Sequence, residues 1–340
     1  MKEINFGISA GSDFQKDAFD SADFIELKKI TAHEVSRVRE LTSKPILFHI
    51  QYTSENRYLL PSVDDFSHYL DEFRAAYRLA KPEIISFHFG LAARSVLIDK
   101  ETFMAVADAG LLSREELTKM IEHNIKAIRS AFPSSLLLLE NLEFVPESLS
   151  KGAYRYIQEA DFFSGNVLRW HRNGLIDGIV LDIAHALITS WNHPLYNGLY
   201  PNLLKNSGGK GAVKDRILAY QTEKTDSYDR HLEDESYIEL LGSEDTSMHI
   251  QYFRMYITQL PLELVREVHI SGAGRLPSGV FVDTHRELSD TEMEALKVLF
   301  TLIDGNESDT LPVTLEYTRS MSSIPLILRK LRDSCTGGFR

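Results

Sequence analysis

A single cysteine, Cys335, is all that this chain of 340 residues carries. That excludes an internal disulfide and any cluster held by several thiolates, and a reducing compartment is the simplest expectation. No run approaches the roughly 18 apolar residues of a membrane-spanning helix, and the opening MKEINFGISAGSDF lacks the apolar core of a secretory signal. The expectation is a cytoplasmic protein without a membrane segment. Positive charge is also scarce: 37 Lys and Arg stand against 49 Asp and Glu, a formal net charge of −12. Nucleic-acid binders draw their affinity largely from Lys and Arg on phosphates, so no nucleic-acid partner is expected.

What is present is a repeating alternation. Short apolar runs recur at INFGISA (4–10), FIELKKI (24–30), PILFHIQ (45–51), IISFHFG (84–90), SLLLLEN (135–141), GIVLDIA (178–184), LVREVHI (264–270) and PVTLEYT (312–318). Several are nearly continuous in apolar residues, as parallel strands covered on both faces tend to be. Amphipathic segments separate them, among them 62–80, 113–132, 289–303 and 322–333; Ser113 and Glu116 make a capping-box pattern at the start of the second. Eight strands alternating with helices predict a single α/β domain over 1–340, a (β/α)8 TIM barrel. A polar stretch at about 196–261 breaks the rhythm and is expected to be a long insertion after strand six, either a lid or a surface excursion.

Barrels of this type build their sites at the C-terminal ends of the strands. Read in order, those ends offer His49, His88, Glu140 followed by Asn141, Asp182 with His185 just beyond, His269, a following loop carrying Asp283 and His285, and Glu316. Each alone has an ordinary explanation. A histidine at a strand end is more often a hydrogen-bonded structural residue, Asp182 could cap the next helix, and DTH could be a plain turn. Metal ligation accounts for all nine at once, and five of the twelve histidines fall in the set.

Carboxylates gathered in one barrel mouth repel and are driven to protonate unless cations neutralise them. Donors of only nitrogen and oxygen type suit zinc, iron or manganese. Nine are too many for one ion and enough for two or three. His49, His88 and Glu140 make a two-histidine, one-carboxylate set of the kind used by non-haem Fe(II). Asp182, His269 and Glu316 would serve a second ion, with Glu140 bridging, and His185, Asp283 and His285 a third. No catalytic group separate from these ligands is expected.

From about residue 44 to 325 the chain resembles the multinuclear non-haem iron-dependent oxidative enzymes, once described only as a domain of unknown function. The likeness rests on ILFHIQYTS, IISFHFG, LLLENLEF, EADFFSGNVLRWHRNGLIDGIVLDIAHALITSWNH, EVHISGAG, FVDTHRELSD and VTLEYT. It implies a xylose-isomerase-like barrel holding two or three iron ions on the nine residues above, with Asn141 and Asn192 as near neighbours. It further implies use of O2 to modify a peptide, often at cysteine, or a related small molecule in natural-product biosynthesis, with a partner protein presenting the peptide. The chain departs from the pattern in two places. DIAH replaces an Asn-Asn after the strand-six aspartate, and Ala273 stands where the second histidine of a His-Leu-Ala-Gly-His pattern is usual.

The same ligand order is also similar to endonuclease IV-type and sugar-isomerase-like barrels. There, zinc or manganese would activate water and hold a phosphate, or serve an isomerisation. A third reading is metal handling without catalysis, which an open coordination position would argue against.

Overall fold

A computed structural model describes residues 3–10, 15–53, 58–62, 66–98, 105–145, 150–197, 239–240, 246–275, 281–303, 310–317 and 320–336. Eight parallel strands close into a barrel: β1 (Glu3–Ala10), β2 (Ile25–Lys29), β3 (Ile46–Tyr52), β4 (Ile84–His88), β7 (Leu136–Glu140), β8 (Gly178–Asp182), β10 (Val265–Ile270) and β13 (Thr310–Leu315). They neighbour one another in chain order, and β13 returns to pair with β1, Phe6 lying opposite Val313. The expected (β/α)8 barrel is the observed fold.

Helices α1 (Lys16–Ser21), α2 (Ala32–Leu41), α3 (Phe66–Ala80), α4 (Arg114–Ala131), α5 (Ala160–Arg172), α6 (Ile183–Asn197), α7 (Thr246–Ile257), α8 (Asp290–Ile303) and α9 (Ile324–Thr336) follow the strands. In α4 the spacing of Leu117, Ile121, Ile125 and Ile128 puts all four on one buried face. Its start is the predicted capping box, with the Ser113 side chain taking the Glu116 N–H and the Glu116 carboxylate returning to the Ser113 N–H. Most of the apolar core lies between strands and helices, with Trp170, Phe87 and Phe163 fully buried in it. Each such side chain contributes roughly 1.5–3 kcal/mol by leaving water.

The barrel interior has a different composition. Its floor is a small separate cluster of Phe24, Leu47, Ile84, Leu138 and Val180. Successive strand side chains alternate between faces, so two residues further along the same inward face stand Glu26, His49, Ser86, Glu140 and Asp182. The change from apolar to polar along each inward face is what makes a site at the upper end of the barrel.

Two additions decorate that end. A hairpin of β5 (Ala93–Ile98) and β6 (Ala105–Leu111) follows β4, and a small antiparallel sheet joins β9 (Glu239–Leu240), β11 (Gly272–Arg275) and β12 (Phe281–Arg286). Neither was legible from the apolar runs. Asp283 and His285, expected in a loop, lie on β12 instead, because that segment pairs with β11. The pairing shifts register between Gly272 and Ala273, and His285 has a φ of +48° in the opposing bulge. Gly272 admits no side chain there, since a Cβ would lie 2.5 Å from the Glu287 carbonyl oxygen. Of the expected insertion at 196–261, residues 198–238 and 241–245 lie outside the described residues; 246–257 form α7, packed on α6 and α8. No helix among the described residues is long and apolar enough to cross a membrane.

Candidate metal centre

All nine sequence-predicted ligands converge on one end of the barrel. Glu140 stands at the middle: its Oε2 is 3.4 Å from His49 Nε2, 3.6 Å from His88 Nε2 and 3.5 Å from His269 Nδ1. Its Oε1 lies 3.3 Å from His185 Nδ1. Around the rim, His185 Nε2 is 3.7 Å from Asp283 Oδ2, Asp283 Oδ2 is 2.6 Å from His285 Nε2, and His285 Nε2 is 3.5 Å from Glu316 Oε2. Glu316 Oε1 closes the ring, 3.1 Å from His269 Nδ1.

Three of the imidazoles, His49, His88 and His269, share one arrangement, in which one ring nitrogen is held and the other points at Glu140. His49 Nδ1 bonds Ser86 Oγ at 2.9 Å, and the serine hydroxyl donates on to the Phe48 carbonyl. His88 Nδ1 pairs with the Tyr58 hydroxyl. His185 differs: its Nδ1, the nitrogen nearer Glu140, donates to the Asn141 carbonyl at 2.9 Å, and its Nε2 faces Glu143 and Asp283. His269 Nε2 donates to Glu26 Oε2 at 2.9 Å. Ser86, whose hydroxyl is committed to the Phe48 carbonyl, and Glu26 fix the tautomers of His49 and His269 and leave the inner nitrogen of each as an electron-pair donor.

The inward atoms have nothing of their own to bind. His49 Nε2, Glu140 Oε2, Asp182 Oδ2 and His269 Nδ1 are buried and lack a hydrogen bond of normal geometry. Leaving such an atom unpaired costs roughly 1–3 kcal/mol, so four facing one another are a strong sign of an absent partner. Within the described residues, two compact donor sets share one carboxylate: His49, His88 and Glu140, and Glu140, Asp182 and His269. A divalent ion fits both by donor chemistry. A third set, Glu26 with His49 and His269, also lies close, but Glu26 already takes the outer nitrogen of His269 and reads as its orienting carboxylate.

Asp182 has room for both of its readings. Its Oδ1 accepts the His185 N–H at 2.6 Å and so caps α6, while Oδ2 stays free for the centre. Asn141 and Asn192 are amide clamps. Asn141 accepts from the Asp182 N–H at 2.9 Å and donates to the Asp182 carbonyl at 3.2 Å, locking the ends of β7 and β8 together. Asn192, on α6, brackets Phe281 in the same way, at 2.8 and 2.7 Å, two residues before Asp283.

Burial dominates the protonation of the centre. It pushes the Asp182 carboxyl up to about 7, against His185, and lowers His88 to about 4 and His49 well below the usual imidazole range. For Glu140 burial acts upward too and is the largest single cause, but His269, His88, His49 and His185 together outweigh it and take the carboxyl well below its ordinary value. His269 itself is raised against burial by Glu26 and Glu140.

Sequence reasoning missed Glu26, Lys28, Tyr58 and Glu143. Glu26 and Lys28 carried a signal: a carboxylate and an ammonium two residues apart, and so on one face of a strand that opens with buried residues. Lys28 Nζ is 2.7 Å from Glu316 Oε1. Glu143, whose Oε2 is 3.4 Å from His185 Nε2, follows Glu140 by three residues in a loop and had no periodicity to mark it.

No family model matches this chain, and no curated protein matches it in sequence. Solved structures match it in shape. The 3-keto-D-glucoside 4-epimerase YcjR from E. coli, in its apo form, is 11% identical over 97% of this chain and 99% of its own, at a TM-score of 0.50. The IolI protein with a bound zinc atom is 11% identical over 98% of this chain and 99% of its own, also at 0.50. Endonuclease IV from Thermus thermophilus is 15% identical over 98% and 100%, at 0.49. The chain shares a fold with the epimerase and the IolI protein. At such identities the likeness extends to architecture alone.

Proposed function

We propose that this chain is a multinuclear metal enzyme, and that its ions are iron used with O2 to oxidise a peptide or a related small molecule. The observation that carries the metal reading is the set of three imidazoles, His49, His88 and His269, each with one nitrogen held from outside and the other aimed at the shared Glu140. For iron in particular, the support is the pairing of two imidazoles with one carboxylate in His49, His88 and Glu140.

Ferrous ions held there would supply the activation of O2. The chain's own residues do the rest. Glu140 is shared between the two donor sets and would keep two ions adjacent. Ser86 and Glu26 hold His49 and His269 in the tautomers that ligation requires, and Tyr58 holds the ring of His88 in place. Burial of these groups excludes water, which strengthens every charge interaction inside the mouth. A peptide substrate would come with a presenting partner protein.

A second reading, a zinc or manganese phosphodiesterase or sugar isomerase, is favoured by the donor set, since imidazole and carboxylate without thiolate suit those ions equally. Against the phosphodiesterase stands the net charge of −12. Elemental analysis and Mössbauer spectroscopy on protein produced with iron and purified without oxygen separate the two. Ferrous iron that changes on exposure to O2 supports the oxidative reading. Tightly held zinc, with iron neither retained nor reactive, replaces it with the second.

A further inference from the structure

The inner nitrogen of His185, Nδ1, is surrounded by acceptors. It lies 2.9 Å from the Asn141 carbonyl, 3.3 Å from Glu140 Oε1 and 3.7 Å from Asp182 Oδ1. A carbonyl oxygen can only accept, so this nitrogen carries the ring proton and cannot ligate an ion. His185 therefore adds no donor to the two compact sets that share Glu140. Any ion that it holds, it holds through Nε2.

Nε2 faces a different pair of groups, Glu143 Oε2 at 3.4 Å and Asp283 Oδ2 at 3.7 Å. Both separations exceed the roughly 2.7–3.2 Å of an N–H···O hydrogen bond. They suit a shared ion better, because two donors that each lie about 2.1 Å from a tetrahedral ion stand about 3.4 Å apart. The trio is wider than the compact sets, and an ion would draw its two carboxylates together. Access differs as well. The side chains of Glu143 and Asp283 are 20% and 17% exposed, against 1% for Glu140 and for Asp182.

We propose that Glu143 is a metal ligand, and that Glu143 Oε2, His185 Nε2 and Asp283 Oδ2 hold a divalent ion at the open rim of the centre. The proposal rests on the metal-enzyme reading above. It revises the expected third set of His185, Asp283 and His285 by bringing in a carboxylate from the loop after β7. His285 Nε2 lies 2.6 Å from the same Asp283 oxygen, a hydrogen-bond distance, and orients that carboxylate. The Tyr154 hydroxyl is bonded to Glu143 and does the same there. With three protein donors and an exposed side, the rim ion keeps a position that a donor atom of a substrate can take.

The test is titration of the metal-free full chain with zinc and, separately and without oxygen, with ferrous iron. Staged removal by a chelator follows, with elemental analysis at each stage. Wild type should retain three ions, and the one at the rim should leave first. Glu143→Gln keeps the shape and replaces the carboxylate by a weaker donor. It should retain two ions through desalting, both as resistant to the chelator as in wild type. His185→Gln should lose the same ion. Circular dichroism and a thermal melt establish that each variant is folded, and should Glu143→Gln not fold, Glu143→Ala takes its place. A folded Glu143 variant that holds three ions with wild-type resistance, or a wild type that holds two, would overturn the ligand role of Glu143 and leave the two compact sets standing. Loss of every ion from a folded Glu143→Gln chain would overturn it too, by showing that the residue supports the whole centre. A wild type that retains no ion under either titration would overturn the metal-enzyme reading and, with it, this one.

Discussion

Glu26 and His269, 243 residues apart in the chain, meet inside the barrel through a 2.9 Å hydrogen bond from the imidazole Nε2 to the carboxylate. Both side chains are fully buried, and the imidazole's other nitrogen faces Glu140 and Glu316. The carboxylate therefore acts on the centre through the ring, by holding it in one tautomer and raising its basicity. Burial pushes the Glu26 carboxyl up to about 7, with the neighbouring His269 working against this.

It follows that Glu26→Gln should weaken metal binding without abolishing it. The amide keeps the shape and can still accept the bond, but it carries no charge. A loss of about 10–100-fold in affinity is expected, measured by competition against a chelator of known strength. His269→Ala removes a donor outright and should lose more. Equal affinities for wild type and Glu26→Gln would show that the carboxylate is only filling space.

Glu140 belongs to both compact donor sets, whereas His88 belongs to one. Glu140→Gln should therefore reduce the metal content at both positions, and His88→Ala at one. Elemental analysis of the two variants, purified side by side, reads the difference directly. Turnover, once a substrate is found, should vanish in both. A Glu140→Gln protein with its full metal content would remove the shared carboxylate from the account.

The sequence made this corner of the molecule legible because barrel geometry sends strand ends to one place. Eight apolar runs gave eight strands to within a few residues, and seven of the nine residues that converge at the barrel mouth were named from positions at or just beyond those ends, Asp283 and His285 from the segment that follows the seventh. Residues that act through others were harder to see. Tyr58 lies outside any strand, and its role depends on a bend of the chain that brings it to His88. The β11–β12 pairing that carries Asp283 and His285 depends on a bulge and on the bare backbone of Gly272, neither of which leaves an apolar pattern. Asn141 and Asn192 were noticed as neighbours, but that both are two-bond clamps on backbone could only come from three dimensions.

Acidity should separate the metal-free from the metal-loaded chain. Burial holds Asp182 and Glu26 up near about 7, so their folded-state protons are retained where the unfolded chain has already lost them. Their contribution to stability is full below the ordinary carboxylate range and is lost as pH rises through about 7. His88, lowered to about 4 chiefly by burial, has the opposite sign: its contribution is full above the ordinary imidazole pKa and is lost as pH falls toward about 4. Ions that bind deprotonated ligands relieve the first loss and are opposed by the second. The rise in melting temperature on metal loading should therefore grow between pH ~5 and ~8, as the ligands shed their protons. A rise that stays constant across that range would mean the ions bind elsewhere.

Asn192 offers a way to disturb one side of the centre alone. Its side chain satisfies both backbone groups of Phe281, which is buried and stacked 5.2 Å from Trp191 at an angle of 11°. Asn192→Ala would leave a buried N–H and a buried carbonyl unpaired, a destabilisation of about 2–5 kcal/mol. Asn192→Asp, held protonated by burial, keeps an acceptor for the Phe281 N–H and an O–H donor for its carbonyl, so it should cost less. In both variants β12 is the element loosened, and with it Asp283 and His285, while His49, His88 and Glu140 rest on β3, β4 and β7 and lose no contact. The expected outcome is a lower melting temperature, in the order wild type, Asn192→Asp, Asn192→Ala, with metal binding at the His49, His88 and Glu140 position preserved. Loss of all bound metal together with an unchanged melting temperature would mean that Asn192 touches the ions or the substrate itself, and that its bracket around Phe281 is incidental.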